Sequence, residues 1–137
     1  LMRLIMQIMG EGAKTGHEPV QAVSINYAIA GLLRAVPFHA HHNRCYMPED
    51  LMQRYGQDKH GLYAGKISPD FPKLVKDVAG LYVSGLKPAN RFLKASNHLA
   101  QIYMTQLKSC QYNVFDPRMR LDPPMKVLRL AFAQKFR

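Results

Sequence analysis

The sequence predicts an all-α protein, and three observations carry that expectation. Apolar residues recur every three to four positions over 20–36, 69–86 and 96–111, the period of a helix face. No stretch alternates apolar and polar residues as a half-buried strand does, and no repeat period is present. Proline and glycine fall between the periodic stretches, where helices start and stop. The 137 residues suffice for one domain or part of one, and 47% apolar with 20% charged residues excludes a disordered polar tail. The longest apolar stretch, Ala22 to Leu33, is interrupted by Ser24 and Asn26 and stopped by Arg34, short of the roughly 20 residues a bilayer requires. Two cysteines, Cys45 and Cys110, do not make a disulfide framework, so the chain reads as intracellular and reduced. No secretory signal or transit peptide is visible at the start, and a first residue of Leu rather than Met makes a piece of a longer protein the expectation.

The elements follow in order. Leu1–Met9 is apolar nearly all round and reads as the end of a buried helix, closed by Gly10 and the turn-rich residues 12–16. Pro19 suits the first turn of a helix over Val20 to about Val36, whose apolar residues cover two faces and predict packing on both sides. Its small residues, Ala22, Ser24, Ala28, Ala30 and Gly31, allow neighbouring helices to come close. Pro37–Met47 is polar and rich in His. Pro48 opens a short helix with Glu49 and Asp50 in its first turn, where the helix dipole favours acids, and Gly56 ends it. Residues 57–68 read as a loop. A long helix from about Pro69 puts Phe71, Leu74, Val75, Val78, Leu81, Tyr82 and Leu86 on one face, and Pro88 breaks or kinks it. Another helix covers roughly Ser96–Gln111. Asp122 is a cap for a last helix that carries Met125, Leu128, Phe132 and Phe136 inward and Lys126, Arg129 and Lys135 outward.

Charge is uneven along the chain. Residues 1–68 hold 7 basic and 5 acidic side chains, and residues 69–137 hold 12 and 4, so the second half carries +8 of the net +10. Such a surplus favours an acidic protein, nucleic acid or anionic lipid head groups, against the plain alternative of a solvated basic surface. No nucleic-acid recognition signature accompanies it, which tips the balance towards protein contact. His39, His41, His42 and Cys45 are all metal-ligand types, but structural zinc sites pair two such motifs and no second pair exists, so no metal site is expected. Cys45 lacks an orienting acid, and no nucleophilic catalytic arrangement is legible.

Gly31–Asp50, GLLRAVPFHAHHNRCYMPED, carries more information. It resembles the squalene/phytoene synthase family of isoprenoid enzymes at its second aspartate-rich motif, which reads approximately N-[IL]-x-R-D-x-x-E-D-x-x-x-G-R-x-Y-x-P. Arg34, Arg44, Tyr46 and Pro48 match that pattern in register across 15 residues. LLRAVPFHA with RCYMPEDLMQRYG, KLVKDVAGLYVSGLKPANRF and CQYNVFDPRM are similar to the mitochondrial complex I assembly factor branch of the family. The resemblance covers roughly residues 20–137. It implies the C-terminal half of an isoprenoid-synthase-type helical bundle, with residues 1–137 as a partial domain and the first aspartate-rich motif preceding Leu1.

In active members the motif's acids hold Mg²⁺, which binds the substrate diphosphate and stabilises it as a leaving group. Here those three positions are Ala35, Phe38 and His39, none a carboxylate. The resemblance therefore implies a protein without catalytic residues, metal or cofactor, in which Arg34, Arg44, Tyr46 and Pro48 persist as structural remnants that tie the loop to the helix ends. The expected role is that of an assembly factor or accessory subunit of a mitochondrial complex, in the matrix or on the matrix face of the inner membrane. Complex I is the implied partner and the mitochondrial ribosome, with RNA contact, a further one. Peripheral membrane association stays open, and an active or ligand-binding prenyl-diphosphate transferase is the rival. The expected docking surface is Lys87, Arg91, Lys94, Arg118, Arg120, Lys126 and Arg129.

Overall fold

Apolar positions three to four apart wind His17–His41 into one helix of 25 residues, the longest among the described residues. The computed structural model describes residues 2–8, 10, 17–88, 90–121, 127, 128 and 131. Among them the order is α1 (Met2–Ile8), α2 (His17–His41), α3 (Glu49–Arg54), α4 (Lys59–Tyr63), α5 (Phe71–Ala79), α6 (Arg91–Ser109) and a 3₁₀ turn over Pro117–Arg120, with no strand. The fold is all-α, of the isoprenoid-synthase type expected from the sequence.

Helix α2 is the axis. It packs chiefly against α6, and also against α5, α1 and α4. Its buried positions, Val20, Val23, Asn26, Ile29, Ala30, Leu33, Val36 and Ala40, trace one stripe, with Ile29 and Ala30 side by side at its middle. Leu33, Val36 and Ala40 enter the main core with Met52, Leu62, Phe71, Leu74, Val75, Leu107 and Val114. A smaller cluster at the other end joins Met6, Val20, Val23 and Leu93. Helix α6 starts at Asn90, whose side chain accepts from the amides of Phe92 (2.8 Å) and Leu93 (3.4 Å), satisfying two donors at the helix start.

Several expectations need correction. Helix α2 does not stop before Pro37 but runs through it to His41, because Val36 and Ala40 on that last stretch are buried in the core. It is packed on one face rather than two: Ile25, Tyr27, Ala28, Gly31 and Phe38 on the other side are exposed. Gly31 serves no close helix contact, since a Cβ built on it meets nothing within 4 Å. Helix α1 forms as expected and closes at Gly10, with φ +73°, but it is not buried. Met6 is its one fully buried residue and Met2 packs half-buried against the same cluster, while Leu4 and Ile8 face solvent.

The supposed loop 57–68 contains α4, capped by Asp58, whose carboxylate accepts from the Gly61 amide at 2.6 Å. Buried Gln57 holds that segment closed. Its Nε2 donates to the carbonyls of Asp58 (3.0 Å) and Lys66 (3.1 Å), and its Oε1 accepts from the Ser68 amide at 2.7 Å. Helix α5 ends at Ala79 instead of continuing to Leu86, so Leu81, Tyr82 and Leu86 do not extend its apolar face. The cause is tertiary. Asn26 of α2, fully buried, donates from Nδ2 to the Val83 carbonyl at 2.8 Å and accepts from the Val83 amide at 2.9 Å. Asn97 of α6 adds a bond to the Leu86 carbonyl at 3.3 Å. Together these draw 81–88 off the helix axis. Of the last expected helix, Val127, Leu128 and Ala131 are helical, with Leu128 exposed rather than inward. Its cap Asp122 and the residues Met125, Lys126, Arg129, Phe132, Lys135 and Phe136 lie outside the described residues.

Candidate functional site: a groove between α2 and α6

The exposed face of α2 repeats at Tyr27, Gly31, Ala35 and Phe38, with Arg34 and His41 beside them. Opposite stand Leu99, Ala100 and Tyr103 of α6, and Val114, Met119 and Arg120 close one end. Together they bound a half-open groove of about 600 Å³. Its walls are mostly apolar. Its charged groups are two guanidiniums, and among the described residues no carboxylate lines it. The guanidinium carbon of Arg34 lies 4.5 Å from the centroid of the Tyr103 ring, a cation–π contact that aligns the arginine along the groove wall. The segment with Arg120 is held in place by the turn after α6. Asp116 accepts from the Arg118 amide at 2.9 Å and pairs with its guanidinium at 2.7 Å, which holds the carboxyl down at about 2. Gln106 Nε2 donates to the Arg118 carbonyl at 2.7 Å.

The three positions where the family motif has acids diverge in space. Ala35 and Phe38 line the groove. His39 meets Tyr46 edge-on at 4.8 Å, and its buried Nδ1 has no hydrogen-bond partner among the described residues. Glu49, the nearest acid beyond the motif, pairs with Lys59 at 3.1 Å and does not line the groove.

The four motif remnants also separate. Arg34 is in the groove. Arg44 ties the loop to the helix end through its backbone: its amide donates to the His39 carbonyl at 2.8 Å, while its side chain is exposed with no bond among the described residues. Tyr46 covers His39. Pro48 sits before α3 and accepts from the Met52 amide at 3.0 Å. Where the motif has Gly, Asn43 adopts φ +53°, a left-handed conformation that Asn tolerates better than most residues.

The His-rich segment does not converge. His41 faces the groove, the His42 Nδ1 lies 2.8 Å from the Phe38 carbonyl, and the Cys45 thiol lies 3.4 Å from the Met52 sulfur. No group of three or more His, Cys, Asp or Glu able to hold a metal occurs among the described residues. Of the expected docking residues, Lys87 and Arg91 are exposed, Lys94 is half-buried, Arg118 is committed to Asp116, and Arg120 lines the groove. Lys126 and Arg129 lie outside the described residues. No described helix is long and apolar enough to cross a membrane.

The groove itself was not legible in advance. Tyr27, Leu99, Tyr103 and Met119 carry no motif, and the second apolar face of α2 reads as a packed face. The one available signal was Gly31 with Ala35, small residues at helical spacing between aromatics.

A family model for squalene/phytoene synthase matches residues 1–123, so the chain belongs to the squalene/phytoene synthase family. The match begins earlier than the motif resemblance, taking in α1, and stops at residue 123. No curated relative and no solved structure matches the chain. The magnesium that the family's chemistry employs does not fit these residues. A hard dication requires oxygen ligands, and the positions where the family motif has acids are Ala35, Phe38 and His39, none of which supplies a carboxylate.

Proposed function

We propose that this protein is a non-catalytic member of the squalene/phytoene synthase family, acting in mitochondria as an assembly factor or accessory structural subunit of a large complex. Respiratory complex I is the partner that its resemblance to the assembly-factor branch implies, in the matrix or at the matrix face of the inner membrane. One observation carries the reading. The groove beside the second motif holds Arg34, Ala35 and Phe38, and its described residues include none of the carboxylates that would bring a metal to a diphosphate. The left-handed turn at Asn43 and the remnants Arg44, Tyr46 and Pro48 support a scaffold kept for its shape. The basic loop around Lys87 and Arg91, pinned by Asn26 and Asn97, gives that scaffold a fixed cationic surface for docking.

Family membership favours one rival, an active prenyl-diphosphate transferase. Incubation of the full-length protein with farnesyl or geranylgeranyl diphosphate and Mg²⁺ separates the two: no turnover is expected, and prenyl product formation overturns the proposal. Affinity purification of the native protein supplies the other arm. Co-purification of respiratory subunits is expected, and recovery as a free monomer sinks the assembly role.

A further inference from the structure

We infer that the loop over 80–88, between α5 and α6, is a membrane-contact surface: Leu81 and Val83 enter the edge of an anionic bilayer while Lys87 and Arg91 meet its headgroup phosphates. The inference rests on the placement at a membrane face proposed above and names the part of the molecule that makes the contact.

The first observation is what the loop leaves outside. Leu81 and Val83 keep 65% and 47% of their surface in water. Tyr82 between them packs half-buried against the main core, Leu86 packs on the smaller cluster and Pro88 is buried. Isolated exposed apolar residues are ordinary on a protein surface, but two aliphatics set two residues apart on one loop form a patch. The second is order. Asn26 holds both backbone groups of Val83, and Asn97 holds the Leu86 carbonyl. A loop fixed in this way presents its aliphatic side chains without the ordering cost that a loose one incurs on binding.

The third is charge. Residues 78–115 contain Lys87, Arg91, Lys94 and Lys108 and no Asp or Glu. Lys87 and Arg91 are exposed and make no ion pair among the described residues. Asp77, the acid that precedes this stretch, already accepts from the Tyr55 hydroxyl at 2.6 Å. The composition selects a bilayer over a protein. Protein interfaces concentrate their energy in aromatic anchors, and this loop turns its tyrosine inward and exposes aliphatics. Aliphatic carbon enters the acyl boundary without a shaped pocket, and the cations beside it add attraction to anionic headgroups.

The test is co-sedimentation of the full-length protein with vesicles of phosphatidylcholine alone and with about one-third phosphatidylserine. Binding about tenfold tighter to the anionic vesicles, and weakened by salt, is expected. Leu81→Ser with Val83→Ser, and separately Lys87→Gln with Arg91→Gln, should each lower that affinity about tenfold. These side chains are exposed, so the melting temperature should hold. An environment-sensitive fluorescent amino acid at position 81 should shift to the blue on anionic vesicles, and one at position 109, at the far end of α6, should not. Equal binding to both vesicle types, a serine pair that binds as the wild type does, or a blue shift at 109 and not at 81 overturns the inference. So does a photo-crosslinking amino acid at 81 that captures a protein, or another segment of the same chain, in place of lipid in native cells. Vesicle binding by a protein recovered without respiratory subunits keeps the membrane surface and breaks the proposed host; respiratory co-purification without vesicle binding does the reverse.

Discussion

The two faces of helix α2 come from one stretch of sequence and behave oppositely. The stripe through Val23, Ala30, Leu33 and Val36 is sealed against α5 and α6. The stripe through Tyr27, Gly31, Ala35 and Phe38, equally free of charge, stands open as a groove wall. Hydrophobicity alone does not decide which face is covered. The sealed face has partners whose apolar residues match it in spacing. The open one faces a wall set back from it, formed by Leu99 and Tyr103 with Arg120 at one end.

The largest expected effect sharpens that contrast. Leu33 is 1% exposed, and Leu33→Ala should cost about 2–5 kcal/mol in urea unfolding, because a cavity is left in a core that cannot fully collapse. Phe38→Ala, five residues along the same helix, should change stability by no more than about 0.5 kcal/mol. Equal losses at the two positions would mean that the groove face is packed in solution and the distinction is lost.

Asn26 lies where the sealed stripe meets the loop. Asn26→Ala should lower stability by about 1–3 kcal/mol, since it removes two hydrogen bonds to the Val83 backbone from a fully buried site. Hydrogen exchange at the Val83 amide should accelerate selectively while Leu74 and Val75 in α5 keep their protection. Uniform acceleration would instead place Asn26 in the global core and not in a local clamp.

That residue also marks the limit of what the sequence discloses. The helical class, the start of α3 at Pro48 and its end at Gly56 are local facts, set by capping and backbone conformations that neighbouring residues determine. The length of α5 is not local. Leu81, Tyr82 and Leu86 continue the apolar period, and the bonds that remove them from the helix reach across from Asn26 and Asn97. Pro37 misleads in the other direction, because the cost of an interior proline, about 3 kcal/mol, is offset by core burial that local propensity does not register. Helix α4 is too short for a period to be seen, with Leu62 its one buried residue. At the site, the motif disclosed which residues had changed. Only the packing of α6 and the turn after it disclosed that Ala35 and Phe38 face Tyr103 and Arg120 across open space.

A smaller effect tests the open face directly. Gly31→Ala should raise stability by about 0.5–1 kcal/mol, because alanine loses less backbone freedom in a helix and its Cβ has room. A decrease in melting temperature would reveal a partner surface pressed against Gly31.

The smallest effect concerns the turn that carries Arg120 to the groove. Asp116 has its carboxyl lowered from 3.8 to about 2, first by its hydrogen bond to the Arg118 side chain and next by that to the Arg118 amide. Because the folded value lies below the unfolded one, the pair's contribution is fully present above about pH 4 and is lost as pH falls through about 2. Asp116→Asn keeps an oxygen for the amide but removes the charge. The stability gap between wild type and this variant should therefore stay constant from neutral pH to about pH 4, then shrink towards pH 2. High salt should narrow the gap only in part, since the leading causes are hydrogen bonds and not long-range attraction. Nuclear magnetic resonance titration of the Asp116 carboxyl gives the independent check. A midpoint near 3.8 would show that Arg118 is not held by Asp116 in solution, and Arg118 would then return to the set of cations free to meet a partner.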